Sequence, residues 1–387
     1  MHYIRLLRPP ALSTDQRGTS SVHVVLTITT DLGDSFLSPE ASIKLKAGVY
    51  AASLDAKGNK PQPSDIKTSQ ILEWRPGTRV IKTDLPLGIC SSTDLRVFVF
   101  PTAQAWAGST RDVVSSLRSD DRGRIMPVWA DVHYPGVEAP HVSFRRLRIG
   151  SEESPSFVQV EEDIGESIAR HIWDAGVVAT SILLENGTSS VNSETLPKLT
   201  QVLASDGPLH IMELGCGVGI LGLGIAALLS GSHRQSSQLL LTDLPEAEDR
   251  TQANIDCLAS TLPSEAQTIP SFESLDWEDG RKGKFGPRVQ ENFWHLIVLS
   301  DCTYNVDMLP ALVGTLTALH DANKNHVPAG EAATTHVLLA TKPRHRSEKA
   351  LFDLMSKGGW VVAEQDVLPL PVMGQQPESV EIYIFEQ

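Results

Sequence analysis

At 387 residues the chain is longer than one ordinary hydrophobic core, and 41% hydrophobic with 21% charged residues describes a globular protein rather than a disordered one. A formal net charge of −14 argues against a nucleic-acid partner and suits a protein that attracts basic segments. The longest apolar run, Ile220 to Leu229, is broken by Gly222 and Gly224 and falls short of membrane-spanning length, so no membrane partner is expected.

Residues 1–150 are predicted to form a separate all-β domain, a sandwich or small barrel. Short β-branched or alternating runs recur at Val22 to Thr29, Ser42 to Tyr50, Thr78 to Lys82, Leu95 to Phe100, Ile125 to Tyr134 and His141 to Ile149. Turn-rich stretches such as Pro61 to Asp65 and Asp84 to Gly88 separate them. No catalytic constellation stands out here, which leaves a structural cap or a substrate-selecting module. Arg145-Arg146-Leu147-Arg148 is the densest basic cluster, read as a solvated strand face or an ion pair with the second domain.

The second domain is taken as residues 155–387, and its signals lie at strand ends. Leu209 to Met212 reads as a buried strand that runs into Glu213-Leu214-Gly215-Cys216-Gly217-Val218-Gly219 and then into an apolar helix. Glycines at alternate positions let a ligand approach the backbone, and the helix start offers free amides. A dinucleotide site asks for glycine at position 220, where Ile220 stands, so a nicotinamide oxidoreductase is disfavoured. The next apolar run, Gln238 to Thr242, ends in Asp243, placed to accept ribose hydroxyls. Alone, Asp243 reads as a turn cap before Pro245; paired with the glycines, the nucleoside reading is favoured. A third run, His295 to Ser300, ends in Asp301-Cys302-Thr303-Tyr304, next to the glycine loop in a doubly wound sheet. A carboxylate and a phenol there suit the positioning of an acceptor amine.

These segments resemble the class I, seven-β-strand methyltransferases that use S-adenosylmethionine (SAM). Within that class, Asp301-Cys302-Thr303-Tyr304 resembles the Asp-x-x-Tyr motif of the family-16 protein lysine methyltransferases. Ile172-Trp173-Asp174-Ala175-Gly176 resembles that family's leading Trp segment, although the family often has proline where Asp174 stands. Leu244-Pro245 with Asn254, and Ser274-Leu275-Asp276-Trp277, match two further segments. The resemblance covers roughly residues 155 to 387 and implies a Rossmann-like, seven-stranded, mostly parallel α/β sheet with a C-terminal antiparallel hairpin. It implies that Gly215, Gly217 and Gly219 cradle the methionine part of SAM and that Glu213 holds the loop or the cofactor amine. It further implies Asp243 on the ribose, Asp276 and Trp277 on the adenine, Trp173 packed on the cofactor, and Asp301 and Tyr304 orienting the acceptor, with Asp301 also lining the cofactor. The products would be S-adenosylhomocysteine (SAH) and a methylated lysine of another protein, such as a chaperone or translation factor.

The scaffold continues with a strand over Thr335 to Thr341, a helix over Ser347 to Lys357, and strands over Trp360 to Val367 and Val380 to Phe385. A proline-rich loop between the last two is placed over the active site. Cys90, Cys216, Cys257 and Cys302 make no Cys-x-x-Cys pair, and the histidines are isolated, so neither zinc nor a disulfide framework is indicated. The start Met1-His2-Tyr3-Ile4-Arg5 lacks a secretory apolar region, which makes the cytoplasm or nucleus the expected location, and a monomer is expected. Two rivals remain at this level: a methyltransferase of the same fold with a small-molecule or non-lysine acceptor, and a catalytically silent interaction module.

Overall fold

The computed structural model describes residues 1–52, 66–89, 94–102, 105–150, 156–165, 170–188, 196–205, 207–230, 237–262, 268–327 and 333–387. Cys90, the turn at 61–65 and parts of the surface loops expected at 186–193, 231–237 and 323–335 lie outside the described residues. The chain divides into two compact units, residues 1–171 with 369–378, and residues 172–368 with 379–387.

The first unit is built from two sheets. One joins β1 (His2–Leu6), β2 (Ala11–Thr14), β3 (Ser20–Thr30), β6 (Ile81–Gly88) and β8 (Ile125–Met126) around β3 and β1. The other runs in the order β11 (Ser156–Asp163), β10 (Val142–Ile149), β9 (Val128–Asp131), β7 (Leu95–Pro101), β4 (Ile43–Ala51), β5 (Ile66–Trp74). Alternation along the strands turns Ile4, Val24, Leu26 and Ile28 of one sheet and Leu45, Ala47, Val97, Val99 and Val128 of the other into one shared core. The predicted turn at Asp84 to Gly88 is instead part of β6, where Pro86 sits opposite Ser21 beside a register shift. Proline is tolerated at such an irregularity because no ladder hydrogen bond is demanded of it.

Three further expectations change. The boundary falls after His171, not at 150–155, because β11 pairs with β10 along its whole length, from Val142↔Asp163 to Ile149↔Ser156. The arginine cluster is no solvated face. Arg145 is buried, ion-paired to buried Glu162, and donates to the carbonyls of Ile4 and Pro127 at 2.8 Å each. Arg146 is buried over the rings of Trp129 and Phe144, with Nε on Gln159 at 2.8 Å. The loop at 369–378 belongs to the first unit, where Gln375 Nε2 donates to Ser35 Oγ at 2.6 Å.

The second unit holds a sheet of seven described strands in the order β14 (Ser271–Ser274), β13 (Gln238–Asp243), β12 (His210–Leu214), β15 (Leu296–Ser300), β16 (His336–Thr341), β18 (Glu378–Glu386), β17 (Val361–Leu370). β14, β13, β12, β15 and β16 pair in parallel, and β16 pairs with β18 antiparallel. The strands are near-continuous apolar runs because helices cover both faces. These include α2 (Asp174–Thr188), α3 (Pro197–Ala204), α4 (Ile220–Ser230), α5 (Glu248–Thr261), the single-turn α6 (Trp277–Gly280) and α7 (Pro287–Gln290), α8 (Leu309–Asn323) and α9 (Ala350–Lys357), with α1 (Thr110–Ser116) in the first unit. Strand order reverses at β12, which has β13 on one side and β15 on the other, so the carboxyl edge there is where such a sheet receives ligands.

Candidate active site

β12 delivers the glycine turn to that edge. Gly215, Gly217 and Gly219 have φ of +66°, +55° and +85°, the left-handed region that side chains rarely adopt. Gly215 is also a close approach, since an added Cβ would lie 2.7 Å from Cys302 Sγ and 3.1 Å from the Trp277 ring. Helix α5 pins the turn from outside: Asn254 Nδ2 donates to the Val218 carbonyl at 2.9 Å, and Thr251 Oγ1 lies 2.6 Å from that of Gly217. This gives the Asn254 of the family-like segment a physical purpose.

Two carboxylates flank the turn. Asp243, at the end of β13, accepts from the Gly217 N–H through Oδ2 and from the Leu244 N–H through Oδ1, both at 2.7 Å. Burial raises its pKa against those two hydrogen bonds. Glu213 is fully buried beneath the loop, where Oε2 accepts the Gly222 N–H of α4 at 2.9 Å. A Cβ at Gly222 would stand 2.5 Å from that oxygen, so glycine lets the carboxylate reach the helix start. Its other oxygen, Oε1, is buried with no hydrogen-bond partner. Burial pushes Glu213 up to about 8, with the neighbouring Asp243 adding to the rise.

The segment after β14 lies on the other side of the turn. Trp277 is half-buried against Gly215, while exposed Asp276 caps α6 by accepting the Glu278 N–H at 2.8 Å.

The end of β15, where the acceptor was expected, departs most from expectation. Asp301 is a non-glycine residue at φ +51°, a strained conformation held by its surroundings. The sequence reading turned its carboxylate toward the reacting end of the cofactor; instead both oxygens are engaged. Oδ2 accepts the Ala175 N–H at 2.8 Å, and Oδ1 accepts the Lys342 N–H at 3.2 Å with Arg344 Nη2 at 3.5 Å. Asp301 therefore braces the start of α2 and the end of β16. Tyr304 is 56% exposed, which leaves its phenol accessible; partial burial, with Cys302 and Asp243 nearby, raises its pKa. Cys302 is buried on the backbone of Leu214 and Gly215, and burial pushes its thiol well up, so it acts as packing and not as a nucleophile.

Trp173 is half-buried under Arg344, whose guanidinium carbon lies 5.2 Å from the ring centroid. Beside it, fully buried Asp174 takes Lys342 Nζ at 2.9 Å. That ion pair explains an acid where the family often has proline. Sequence reasoning missed Lys342, Arg344 and Glu348, although all three follow an apolar strand at the same edge of the sheet. Glu348 is buried and accepts from Thr303 Oγ1 at 2.6 Å, His345 N–H at 2.8 Å and Arg344 N–H at 2.9 Å. No group of three or more His, Cys, Asp or Glu side chains suited to a metal occurs among the described residues.

Alternate left-handed glycines joined to a strand-end carboxylate on the next strand define a nucleoside-binding α/β enzyme, and the comparisons narrow it. Residues 152–358 match the family model described as lysine methyltransferase, and the chain belongs to that family. A UPF0665 family protein of Schizosaccharomyces pombe is 25% identical over the whole of this chain and 99% of its own length. The protein-lysine N-methyltransferase EFM6 of Saccharomyces cerevisiae is 24% identical over 56% of this chain and 81% of its own. A solved SAM-dependent methyltransferase from Methanosarcina mazei covers 49% of this chain and 97% of its own at 11% identity, with a TM-score of 0.35. The chain is thus a SAM-dependent lysine methyltransferase.

The residues present fit that cofactor. A turn of three left-handed glycines, a carboxylate tied to it, a half-buried indole and an orphaned buried carboxyl oxygen are the donor and acceptor set that a nucleoside bearing an ammonium and a carboxylate calls for.

Proposed function

We propose that this enzyme methylates a single lysine on a folded partner such as a chaperone or translation factor, working as a monomer in the cytoplasm or nucleus without nucleic acid. Gly215, Gly217 and Gly219 with Asp243 hold the nucleoside and methionine portions of SAM, Trp277 and Asp276 border the adenine, and Trp173 packs beside the sulfonium end. Glu213 sits under the loop, with Oε1 left for the cofactor's ammonium. When bound, SAM supplies an electrophilic methyl group on a sulfonium. The chain supplies position: Asp301 fixes the turn, and Tyr304 offers an accessible phenolic oxygen to the incoming amine. In this reading the first unit is a distinct β domain that leaves the chemistry to the second.

The observation that carries the reading is the 2.7 Å bond from the Gly217 N–H to Asp243, which makes the glycine turn and the ribose acid one rigid receptor. Calorimetric titration with SAH, with NAD as control, tests it. Saturable binding of SAH alone is expected; equal binding of NAD or none of either would overturn the cofactor assignment. The name of the EFM6 relative supports a protein acceptor, and labelled SAM added to cell extract should place the label on lysine in the protein fraction.

A further inference from the structure

The loop that follows β16 carries a charge opposite to that of the chain. Between Lys342 and Lys357 stand five cations, Lys342, Arg344, Arg346, Lys349 and Lys357, against two carboxylates, Glu348 and Asp353. Lys342 is consumed by Asp174, and Arg344 is held over Trp173 and against Asp301. Arg346 and Lys349 are exposed, and neither has an ion-pair partner among the described residues. The exposed carboxylate closest to them in sequence, Asp353, forms no ion pair with either. On the β14 side of the same edge the pattern differs, because Arg281 is paired with Glu278, and Lys282 and Lys284 with Asp279.

The two free cations are tied to the acceptor turn. Glu348 lies between them in a single turn of 3-10 helix, Arg346–Lys349, and its carboxylate is bonded to Thr303, the residue before Tyr304. Its other oxygen holds the Arg344 and His345 amides, so this basic turn is fastened beside the Asp301–Tyr304 turn. Asp301 cannot compensate, since its charge is spent on two backbone amides and Arg344.

From this we infer that the acceptor lysine lies among acidic residues of its protein, and that Arg346 and Lys349 form the surface that selects it. The inference rests on the lysine methyltransferase reading and adds the substrate's charge. Two physical effects agree. A basic rim repels a lysine set in a basic segment and draws one flanked by Asp or Glu. Pairing of those acids with the two cations also offsets the rise that flanking carboxylates would cause in the acceptor's pKa, keeping more of the amine in the neutral form that attacks the methyl carbon; the product ammonium then loses a proton to solvent.

The test uses the full-length enzyme, cell extract and methyl-labelled SAM, with labelled lysines mapped by mass spectrometry. Wild type should label lysines that have two or more Asp or Glu within about one helical turn or on the facing surface. R346E/K349E should lose at least tenfold in labelling rate, and Lys349→Arg should not. SAH binding should be the same in all three, which separates substrate selection from damage to the fold or cofactor site. Lysines in neutral or basic surroundings, labelled equally by R346E/K349E, would overturn the inference while leaving the lysine methyltransferase reading intact. Label in nucleic acid, or in no lysine at all, would overturn both.

Discussion

Asp243 and Asp301 end apolar strands on either side of β12 and look alike in sequence, yet their surroundings divide their work. Among the described residues Asp243 accepts from the glycine turn and its own successor alone, so removing its carboxylate frees the Gly217 amide and deletes the ribose acceptor in the proposed complex. Hydrogen bonds involving a charged group contribute about 1.5–3 kcal/mol each, so Asp243→Ala should weaken SAH binding roughly 10- to 100-fold by calorimetry. Asp301 instead reaches Ala175 and Lys342 across the sheet edge and is buried, so Asp301→Ala should cut turnover of labelled SAM while SAH affinity changes little. Equal loss of SAH affinity in both variants would remove that division. Tyr304→Phe keeps the ring and deletes the exposed phenol; it should lower kcat without altering SAH binding, and unchanged kcat would show that the hydroxyl does not touch the acceptor.

The turn between β12 and α4 combines two demands that can be separated by substitution. Gly77 and Gly215 both have left-handed φ, at +78° and +66°, but a Cβ at Gly77 meets nothing within 4 Å, whereas one at Gly215 strikes Cys302 and crowds Trp277. A left-handed alanine costs about 1–2 kcal/mol through the backbone alone, and overpacking adds roughly 1–3 kcal/mol. Gly215→Ala should therefore lower the melting temperature more than Gly77→Ala and also weaken SAH binding, which Gly77→Ala should leave unchanged. The same turn shows what the chain discloses by itself. Three glycines at fixed spacing before an apolar helix, and acids closing apolar runs, are local patterns, so β12, α4, β13 and β15 were legible within a few residues. The partners of Asp301 were not, because Ala175 and Lys342 stand 126 and 41 positions away and are brought to it by strand order. β5 escaped notice because its alternation places Thr68 and Gln70 among Ile66 and Leu72, a mixture that periodicity does not flag. Arg145 was misread for a related reason: a basic strand reads as solvated unless Glu162, on a strand not foreseen, is there to receive it.

Opposing proton linkages run through the second unit from its two edges. At the amino edge, His295 is pushed down to about 4 by burial and by His210 beside it, and His336 is lowered by burial and by Lys198. Both are held toward the neutral form when folded, while the unfolded chain takes up protons near pH 6.5, so their contribution is present above that pH and is lost as pH falls below it, for His295 down through about 4. At the carboxyl edge Glu213 has the reverse sign. Its folded value of about 8 lies above the ordinary carboxyl value, so its contribution is complete below about pH 4.5 and is lost as pH rises through 8. Glu213→Gln removes that titration but keeps an acceptor for the Gly222 amide. The variant's melting temperature, relative to wild type, should therefore be higher at pH 8 than at pH 5, by a gap on the order of 5 °C if a few kcal/mol are recovered. The same residue links stability to the cofactor. With Oε1 unpartnered in the free protein and protonated at pH 7, arrival of the proposed ammonium makes the carboxylate the favoured form and expels a proton. SAH titrations at pH 7 in two buffers of different ionisation enthalpy should show release of close to one proton in wild type and almost none in Glu213→Gln. Equal release in both would place the ammonium elsewhere and reduce Glu213 to a brace for α4.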